Sequence, residues 1–319
     1  MLNKNEFMDS VKRNIINFLP DEVRENVEID ETTIVKMNDQ KLHGIVIKDK
    51  GADAAPNFYL DEMFERYSNG EDMGSLMAEL SENYVISRDM PRPMDIDLSW
   101  DNVKDSLTLR LLETKRNREF LSTMPHVNVG NGLAMTVDVN MGEDKSGEWR
   151  VAVNYNVMEE MGTDKEQLFT EALANAQVYE PAILVDMEEA LFMPEQTNLL
   201  SRNKPIAQED LGSLYVLGNP SGSFGASALF YPDVKEKAAE ILGSDYYVLP
   251  CSVHEVILVP ETAGMDEREL CSMVKQANRA VVEDKDILSD NVYHYSRDEK
   301  KLSVVTDEKQ RGDRVAEGR

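Results

Sequence analysis

The sequence contains few of the residues that disulfide, metal and nucleic-acid chemistry require. Its 319 residues include two cysteines and four histidines, and 34 basic residues stand against 60 acidic ones, which gives a formal net charge of −26. Two cysteines are too few for a disulfide framework. A general nucleic-acid binder needs the opposite charge, because its affinity comes from neutralising phosphates. We therefore expect no direct binding to DNA, RNA or an anionic membrane.

Long hydrophobic runs are also absent. The longest apolar pieces, such as the one from Val256 to Val259, are the size of a strand, whereas a membrane-spanning helix needs about 20 apolar residues. The first residues are polar and lack the hydrophobic stretch of a secretory signal. The 17 methionines oxidise readily, which favours a reducing compartment. The sequence thus predicts a cytoplasmic protein.

Composition and hydrophobic periodicity predict an α+β fold. The apolar fraction of 41% and the charged fraction of 29% are typical of a folded chain with a highly charged surface. Residues 1–97 are expected to form an N-terminal helical part with a small β-hairpin, which turns at Asn38 and Asp39. Residues 98–305 are expected to form an α+β domain with a mixed or antiparallel sheet covered by helices. Residues 89–97 favour a linker, and residues 306–319 favour a disordered tail.

Two patterns stand out in the second half. Apolar residues alternate over 133–141 and again over 149–155, which predicts a hairpin of two half-buried strands. The spacing of Thr163 and Glu166 predicts a capping box at the start of a helix.

Glycines are frequent between Gly218 and Gly225, with apolar runs on both sides. A phosphate-binding loop would need Lys followed by Ser or Thr after the last glycine, and a helix opening there. Ala226 and Ser227 follow instead. The segment therefore predicts a hairpin loop that joins two strands and binds no ligand.

The segment from Cys251 to Glu255 places a thiol, a hydroxyl, an imidazole and a carboxylate within five residues. In a strand, Ser252 and His254 would lie on the same face, where the imidazole could act as a base for the hydroxyl. A hydrolase using Ser252 and His254 would need its third group from elsewhere in the chain. The alternative is a structural entry into a strand, in which the polar groups satisfy a turn at Pro250.

Cys251 and His254 could also form half of a zinc site. Structural zinc needs four converging ligands, and no second pair with ligand spacing is present. The other candidate ligands are scattered along the sequence: Cys271, His43, His126 and His294. The sequence therefore predicts no metal site and no cofactor.

Several motifs together resemble an uncharacterised bacterial family, domain-of-unknown-function family 5688. They are Asn-Tyr-Asn-Val-Met at 154–158, Leu-Tyr-Val-Leu-Gly at 214–218, Leu-Pro-Cys-Ser-Val-His-Glu-Val-Ile-Leu-Val-Pro at 249–260, and Leu-Ser-Asp-Asn-Val-Tyr-His-Tyr at 288–295. The resemblance covers about residues 3–305. It implies a bacterial protein whose relatives often sit among accessory genes of mobile elements, and it implies no activity, cofactor or catalytic residue.

The acidic surplus is concentrated in two stretches. Residues 51–100 hold eleven acids and three bases, and residues 159–200 hold ten acids and one base. Such charge keeps a protein soluble, and it can also mimic nucleic acid and attract a DNA-binding protein. Because no catalytic constellation is recognisable, the leading hypothesis is a non-enzymatic accessory protein that binds another protein. A hydrolase and a nucleic-acid mimic are the alternatives.

Overall fold

The computed structural model describes residues 1–51, 55–89, 97–144, 147–193, 196–250 and 252–305. The chain divides into two compact units, Met1–Asp97 and Leu98–Arg319. Every strand pair in the described part is antiparallel, and each unit contains helices as well as strands, so the predicted α+β class is confirmed. The predicted tail at 306–319 and most of the predicted linker at 89–97 lie outside the described residues.

The described part of the N-terminal unit combines four α-helices with a three-stranded sheet in the order β1-β2-β3. Its elements are α1 (Lys4–Asn14), α2 (Asp21–Arg24), β1 (Val27–Val35), β2 (Lys41–Asp49), β3 (Asn57–Tyr59), α3 (Asp61–Ser68) and α4 (Met73–Asp89).

The first helix shows how local sequence and packing agree in this unit. Asn3 accepts a hydrogen bond from the backbone N–H of Glu6, whose carboxylate accepts one from Asn3 in return, which completes a capping box. Phe7 and Val11 lie on the apolar stripe and are fully buried. The ring of Phe7 lies 5.1 Å from the ring of Tyr67. The core of the unit is therefore built on this stripe.

The predicted hairpin of the N-terminal unit is present as β1 and β2. Its turn passes through Asn38 and Asp39, which both adopt a positive φ, a conformation that Asn and Asp tolerate better than most residues. Residues 57–59 pair with β2 as β3, and α3 begins at Asp61.

Among its described residues, the C-terminal unit contains two antiparallel sheets. The first part of the unit comprises α5 (Trp100–Val103), β4 (Leu107–Glu113), α6 (Arg118–Ser122), β5 (Val127–Gly130), β6 (Leu133–Asp144), β7 (Gly147–Ala152), α7 (Tyr155–Glu160) and α8 (Lys165–Tyr179). The second part comprises β8 (Ile183–Asp186), α9 (Met187–Phe192), β9 (Tyr215–Gly218), α10 (Val234–Leu242), β10 (Tyr246–Leu249), β11 (Val256–Pro260), α11 (Glu267–Ala280), β12 (Val292–Ser296) and β13 (Lys301–Val305).

The long strand β6 organises the four-stranded sheet. It pairs with β4 along one edge, and with β5 and then β7 along the other. The register of β6 with β7, in which Val139 faces Val151, confirms the predicted hairpin. The six-stranded sheet has the order β13-β12-β10-β11-β9-β8.

Two local predictions were wrong in this unit. The N-cap of α8 is Asp164, which accepts from the N–H of Gln167, whereas Thr163 lies one residue earlier and donates its hydroxyl to the Gln167 side chain. The segment after β9 forms a buried 3-10 helix, Gly225–Phe230, instead of a strand. Glycine-rich residues 218–225 therefore do not form a hairpin loop.

Polar contacts join the two sheets of the C-terminal unit. The carboxylate of Glu113 at the end of β4 accepts a hydrogen bond from Ser289 at 3.0 Å. Arg116 forms an ion pair with Asp290 at 2.6 Å. These contacts fix the four-stranded sheet against the segment that leads into β12. None of the described helices is both long and apolar enough to cross a membrane.

Candidate functional site

The segment that carries Ser252 and His254 is not a strand. Strand β10 ends at Leu249 and β11 begins at Val256. Between them, Ser252 forms an isolated bridge with Ile287. The prediction that a strand places Ser252 and His254 on one face was therefore wrong. Cys251 lies outside the described residues.

The polar groups of this segment are engaged with the backbone and with neighbouring segments. The Oγ of Ser252, a residue only 7% exposed, accepts a hydrogen bond from the main-chain N–H of His254 at 2.9 Å. The Nδ1 of His254 accepts from the backbone N–H of Phe224 at 3.3 Å. The Nε2 of His254 lies 3.5 Å from the carboxylate of Asp286. Because a backbone N–H can only donate, the neutral ring carries its proton on Nε2, facing Asp286.

Phe224 occupies the centre of the cluster around His254. Its ring stacks on the imidazole with a centroid distance of 5.4 Å and an interplanar angle of 25°. The guanidinium carbons of Arg110 and Arg150 lie 4.2 and 5.1 Å from the centre of the same ring. A guanidinium this close to an aromatic face is attracted by the ring quadrupole.

The backbone of Phe224 adopts the left-handed conformation, with φ 52° and ψ 23°. For a residue with a side chain this conformation costs about 1–2 kcal/mol. Its carbonyl accepts from the hydroxyl of Ser227 at 3.0 Å, and its N–H is held by His254. Strained residues of this kind cluster at binding and catalytic sites, so the position of Phe224 marks this cluster as a candidate site.

A buried ion pair lies beside Phe224. Arg110 on β4 contacts Asp138 on β6 at 2.6 Å, and Asp138 is 1% exposed. Burial raises the pKa of the Asp138 carboxyl, while the positive charges of Arg110 and Arg150 act against this rise. Asp138 Oδ2 and Arg110 Nε have no hydrogen-bond partner within the described residues. A buried charge pair with incomplete partners is costly, which indicates a role other than stability.

These charged groups lie on one face of the four-stranded sheet. Side chains alternate along a strand, so Asp138 and Asn140 of β6 share a face, and the pairing of Asn140 with Arg150 extends it to β7. Asp138 is buried at one end of this face, and Asn140 and Arg150 are partly exposed at the other.

The segment between β9 and the 3-10 helix packs closely against residue 254. A Cβ atom added to Gly225 would lie 2.6 Å from the carbonyl oxygen of His254 and 2.7 Å from the backbone nitrogen of Asn219. Both are backbone atoms that cannot move away cheaply, so only glycine fits. Asn219 donates to the carbonyl of Ser223 at 2.9 Å, and its buried Oδ1 has no partner in the described part of the chain.

A pocket of about 480 Å³ opens at the exposed end of the charged face. Residues from the segment 102–106, from β4, β6 and β7, from the last turn of α8 and from the segment 219–231 line it. Its polar lining includes Thr108, Asn140, Arg150, Glu180, Asn219 and Tyr231. Burial raises the pKa of the Tyr231 hydroxyl, and the negative charge of Glu180 raises it further. This volume lies within the range of about 300–1,000 Å³ that small-molecule sites occupy.

The candidate metal ligands named from the sequence lie apart. His43 contacts Asp61 at 3.4 Å in the N-terminal unit, and Cys271 is buried on α11. His126 contacts the carbonyl of Met124 at 2.9 Å. The predicted absence of a metal site stays a prediction.

His294 lies beside Asp245 and Glu261, with ligand atoms of the three residues within 4.8 Å of one another. Asp245 also accepts a hydrogen bond from the backbone N–H of Arg297. Glu261 is exposed, and no further contact in this cluster points to a bound ion.

Sequence reasoning missed most of the charged face. The alternation along β6 predicts only a strand with one solvent-facing side, so it does not point to Arg110, Asp138, Arg150 and Phe224. Thr136, Asp138 and Asn140 in alternate positions were the available signal. An arginine and an aspartate on neighbouring strands can pair across a sheet, but the sequence does not show which segment covers them.

Neither the curated proteins nor the solved structures gave a match to this chain. A family model, described as a family of unknown function (DUF5688), matches residues 4–297. This match spans both units and includes Phe224, Ser252 and His254, so the chain belongs to the family of unknown function DUF5688.

Proposed function

We propose that this protein is a non-enzymatic accessory protein that works by binding another protein. The observation that carries the proposal is a run of three exposed apolar residues at the end of α9: Leu191, Phe192 and Met193 are 68%, 78% and 58% exposed. Isolated apolar side chains on a surface are ordinary, but a contiguous run is typical of an interaction site. Phe192 is the natural anchor, because buried aromatic residues dominate binding energy at interfaces.

The charge around this run indicates the kind of partner. Glu188 and Glu189 lie on α9 itself, and residues 159–200 carry ten acids against one base. The complementary surface would be an apolar groove with a basic rim. Attraction between opposite charges speeds association and weakens as salt is added. An apolar anchor within acidic surroundings supports protein binding more directly than it supports mimicry of a nucleic acid.

The contacts of the Ser252 segment support binding over catalysis. The hydroxyl of Ser252 accepts from a main-chain N–H, and both ring nitrogens of His254 face groups other than that hydroxyl. A serine nucleophile needs its base within hydrogen-bond reach. Accordingly, we assign His254 a structural role, in which its Nδ1 and its ring hold the backbone and the side chain of Phe224 in place.

Affinity capture from an extract of the native host tests the proposal. The bait is the full chain, compared with Phe192→Ser. Val281→Ser is the matched control, because Val281 is also exposed (82%) but follows α11. We expect wild type and Val281→Ser to retain the same partner at low salt, and Phe192→Ser to bind the purified partner about tenfold or more weakly.

Two results would contradict this function. One is equal retention of the partner by Phe192→Ser and wild type. The other is turnover of a common ester, phosphate or nucleotide substrate that His254→Ala abolishes.

A further inference from the structure

The pocket of the C-terminal unit carries an inference that does not depend on the exposed run at α9, because no residue of α9 lines it. Its walls come from strands β4, β6 and β7, from the end of α8, and from the segments 102–106 and 219–231. The strands and the end of α8 contribute opposite charges, Arg150 and Glu180.

Arg150 supplies the positive side. It lies on β7 opposite Asn140, its guanidinium stacks on Phe224, and it donates to the hydroxyl of Thr108 at 2.7 Å. These contacts fix the plane of a group that has five N–H donors in a rigid fork. A guanidinium held in this way is suited to a carboxylate, which it can bind through two parallel hydrogen bonds.

The end of α8 supplies the negative side. Asn175, Ala176, Tyr179 and Glu180 line the pocket, so the last turn of this 15-residue helix faces it. The final carbonyl groups of a helix lack partners within the helix and carry partial negative charge, which favours a cation. Glu180 adds a full carboxylate at the same place, and its charge reaches the Tyr231 hydroxyl inside the pocket.

The lining also contains amide groups. Asn219 is 7% exposed, and its Oδ1 has no hydrogen-bond partner in the described part of the chain. This oxygen is itself buried and lies against Gly225, so it is not open to a ligand in the pocket. Asn140 presents a second amide, and Leu109 and Val139 provide apolar surface.

We propose that this pocket binds a zwitterion of the amino-acid class, a free α-amino acid or a short peptide, with its carboxylate at Arg150 and its ammonium group at Glu180 and the end of α8. A pocket of this volume accommodates a dipeptide or tripeptide. The chain length that binds best reports the separation of the two charged sides.

Isothermal titration calorimetry on the full chain tests this assignment. The probes are free amino acids and alanine peptides of two to four residues, each compared with its N-acetylated and its C-amidated form. We expect a free peptide to bind at least about tenfold more tightly than either blocked form, because each blocked end loses a charge-assisted hydrogen bond. The salt dependence should be weak compared with that of an exposed charge pair.

Two variants locate the ammonium group. Glu180→Gln should remove the preference for the free amine while it keeps the preference for the free carboxylate. Asp105→Asn is the matched control, because Asp105 also lines the pocket but is exposed, and it should behave as wild type. Thermal melting of both variants confirms that they fold.

Three outcomes would overturn the proposal. The first is the absence of any binding heat with the whole panel at 5 mM, a concentration at which a site of about 1 mM affinity is largely filled. The second is equal binding of the free and blocked peptides. The third is loss of the amine preference in Asp105→Asn with its retention in Glu180→Gln.

Discussion

In the N-terminal unit, Ser81 is the polar side chain that lies buried among the residues the structure describes, and the rest of the core around Phe7 is apolar. In the described part of the C-terminal unit, buried polar side chains recur throughout. They are Arg110, Glu113, Asn117, Thr136, Asp138, Asn175, Asn219, Ser227, Ser252, Asn278 and Ser289.

This difference separates two ways of building a core. Burial of apolar side chains stabilises a fold and requires no specific partner groups. Close packing and the hydrophobic effect therefore hold the core of the N-terminal unit together. Buried polar groups need matched partners and destabilise a fold when the match is incomplete. Their recurrence in the described part of the C-terminal unit therefore means that this unit is held by matched polar contacts as well as by apolar burial.

The largest expected effect comes from breaking the buried ion pair. Asp138→Asn leaves the Arg110 guanidinium beside a neutral amide in a buried place, and we expect the free energy of unfolding of the C-terminal unit to fall by about 3–5 kcal/mol. Urea unfolding measures the change, and hydrogen exchange of peptides from each unit shows where it acts. Glu71→Gln, which removes an exposed partner of Arg66 in the N-terminal unit, is the control and should be close to neutral. Equal effects of the two substitutions would remove the distinction between the units.

A smaller effect is expected at Gly225. Gly225→Ala forces a methyl group against backbone atoms of His254 and Asn219, and overpacking of this kind costs about 1–3 kcal/mol. Gly218→Ala is the matched control, because its added methyl group would meet neighbours at an ordinary 3.6 Å. Urea unfolding of both variants measures the difference. If Gly225→Ala is as stable as Gly218→Ala, the segment 219–225 is not held against residue 254 as described.

The smallest effect concerns an ion pair in the N-terminal unit. Partial burial raises the pKa of Asp61, but hydrogen bonds from Lys4 and from the backbone N–H of His43 lower it by more, so the pKa of this carboxyl lies below its ordinary value. A lowered pKa in the folded state means that the ionised carboxylate stabilises the fold above the unfolded pKa of about 3.9, and that this is lost as the pH falls through the folded value.

Asp61→Asn should therefore lower the stability of the N-terminal unit by about 0.2–1 kcal/mol at pH 7, the size of a solvent-screened pair. The difference from wild type should shrink below about pH 4. Urea unfolding at pH 7 and at pH 3 measures both values. A difference that is the same at the two pH values would show that Asp61 acts through packing and not through its charge.

Strands with one clear periodicity were predictable from the sequence. The hairpin of β6 and β7 follows from strict alternation between Leu133 and Met141, and the turn at Asn38 and Asp39 follows from residues that tolerate a positive φ. Asp266 is a residue type that favours the N-cap position, and it caps α11 by accepting from the N–H of Arg268. In each case the deciding interaction is local in sequence.

The candidate site could not be predicted in the same way, because its deciding interactions are long-range. The glycines between 218 and 225 suggested a hairpin turn, but Gly225 is required by the approach of residue 254, 29 positions later. Ser252 was expected in a strand. Instead, it forms an isolated bridge with Ile287, and the backbone on either side of it is hydrogen-bonded to Asp286 and Ser289. The polar face of β6 was expected to face solvent, and the segment that carries Phe224 covers part of it.

Phe224 places two opposing demands on one position. Its left-handed backbone favours glycine or asparagine, whereas the contacts with Arg110 and His254 require a flat aromatic ring. A change to glycine would ease the first demand and lose the second, and a change to isoleucine of comparable hydrophobicity would violate both, because branching at Cβ is least tolerated at a positive φ. Hydrophobicity alone is therefore a poor guide to which substitutions this position accepts.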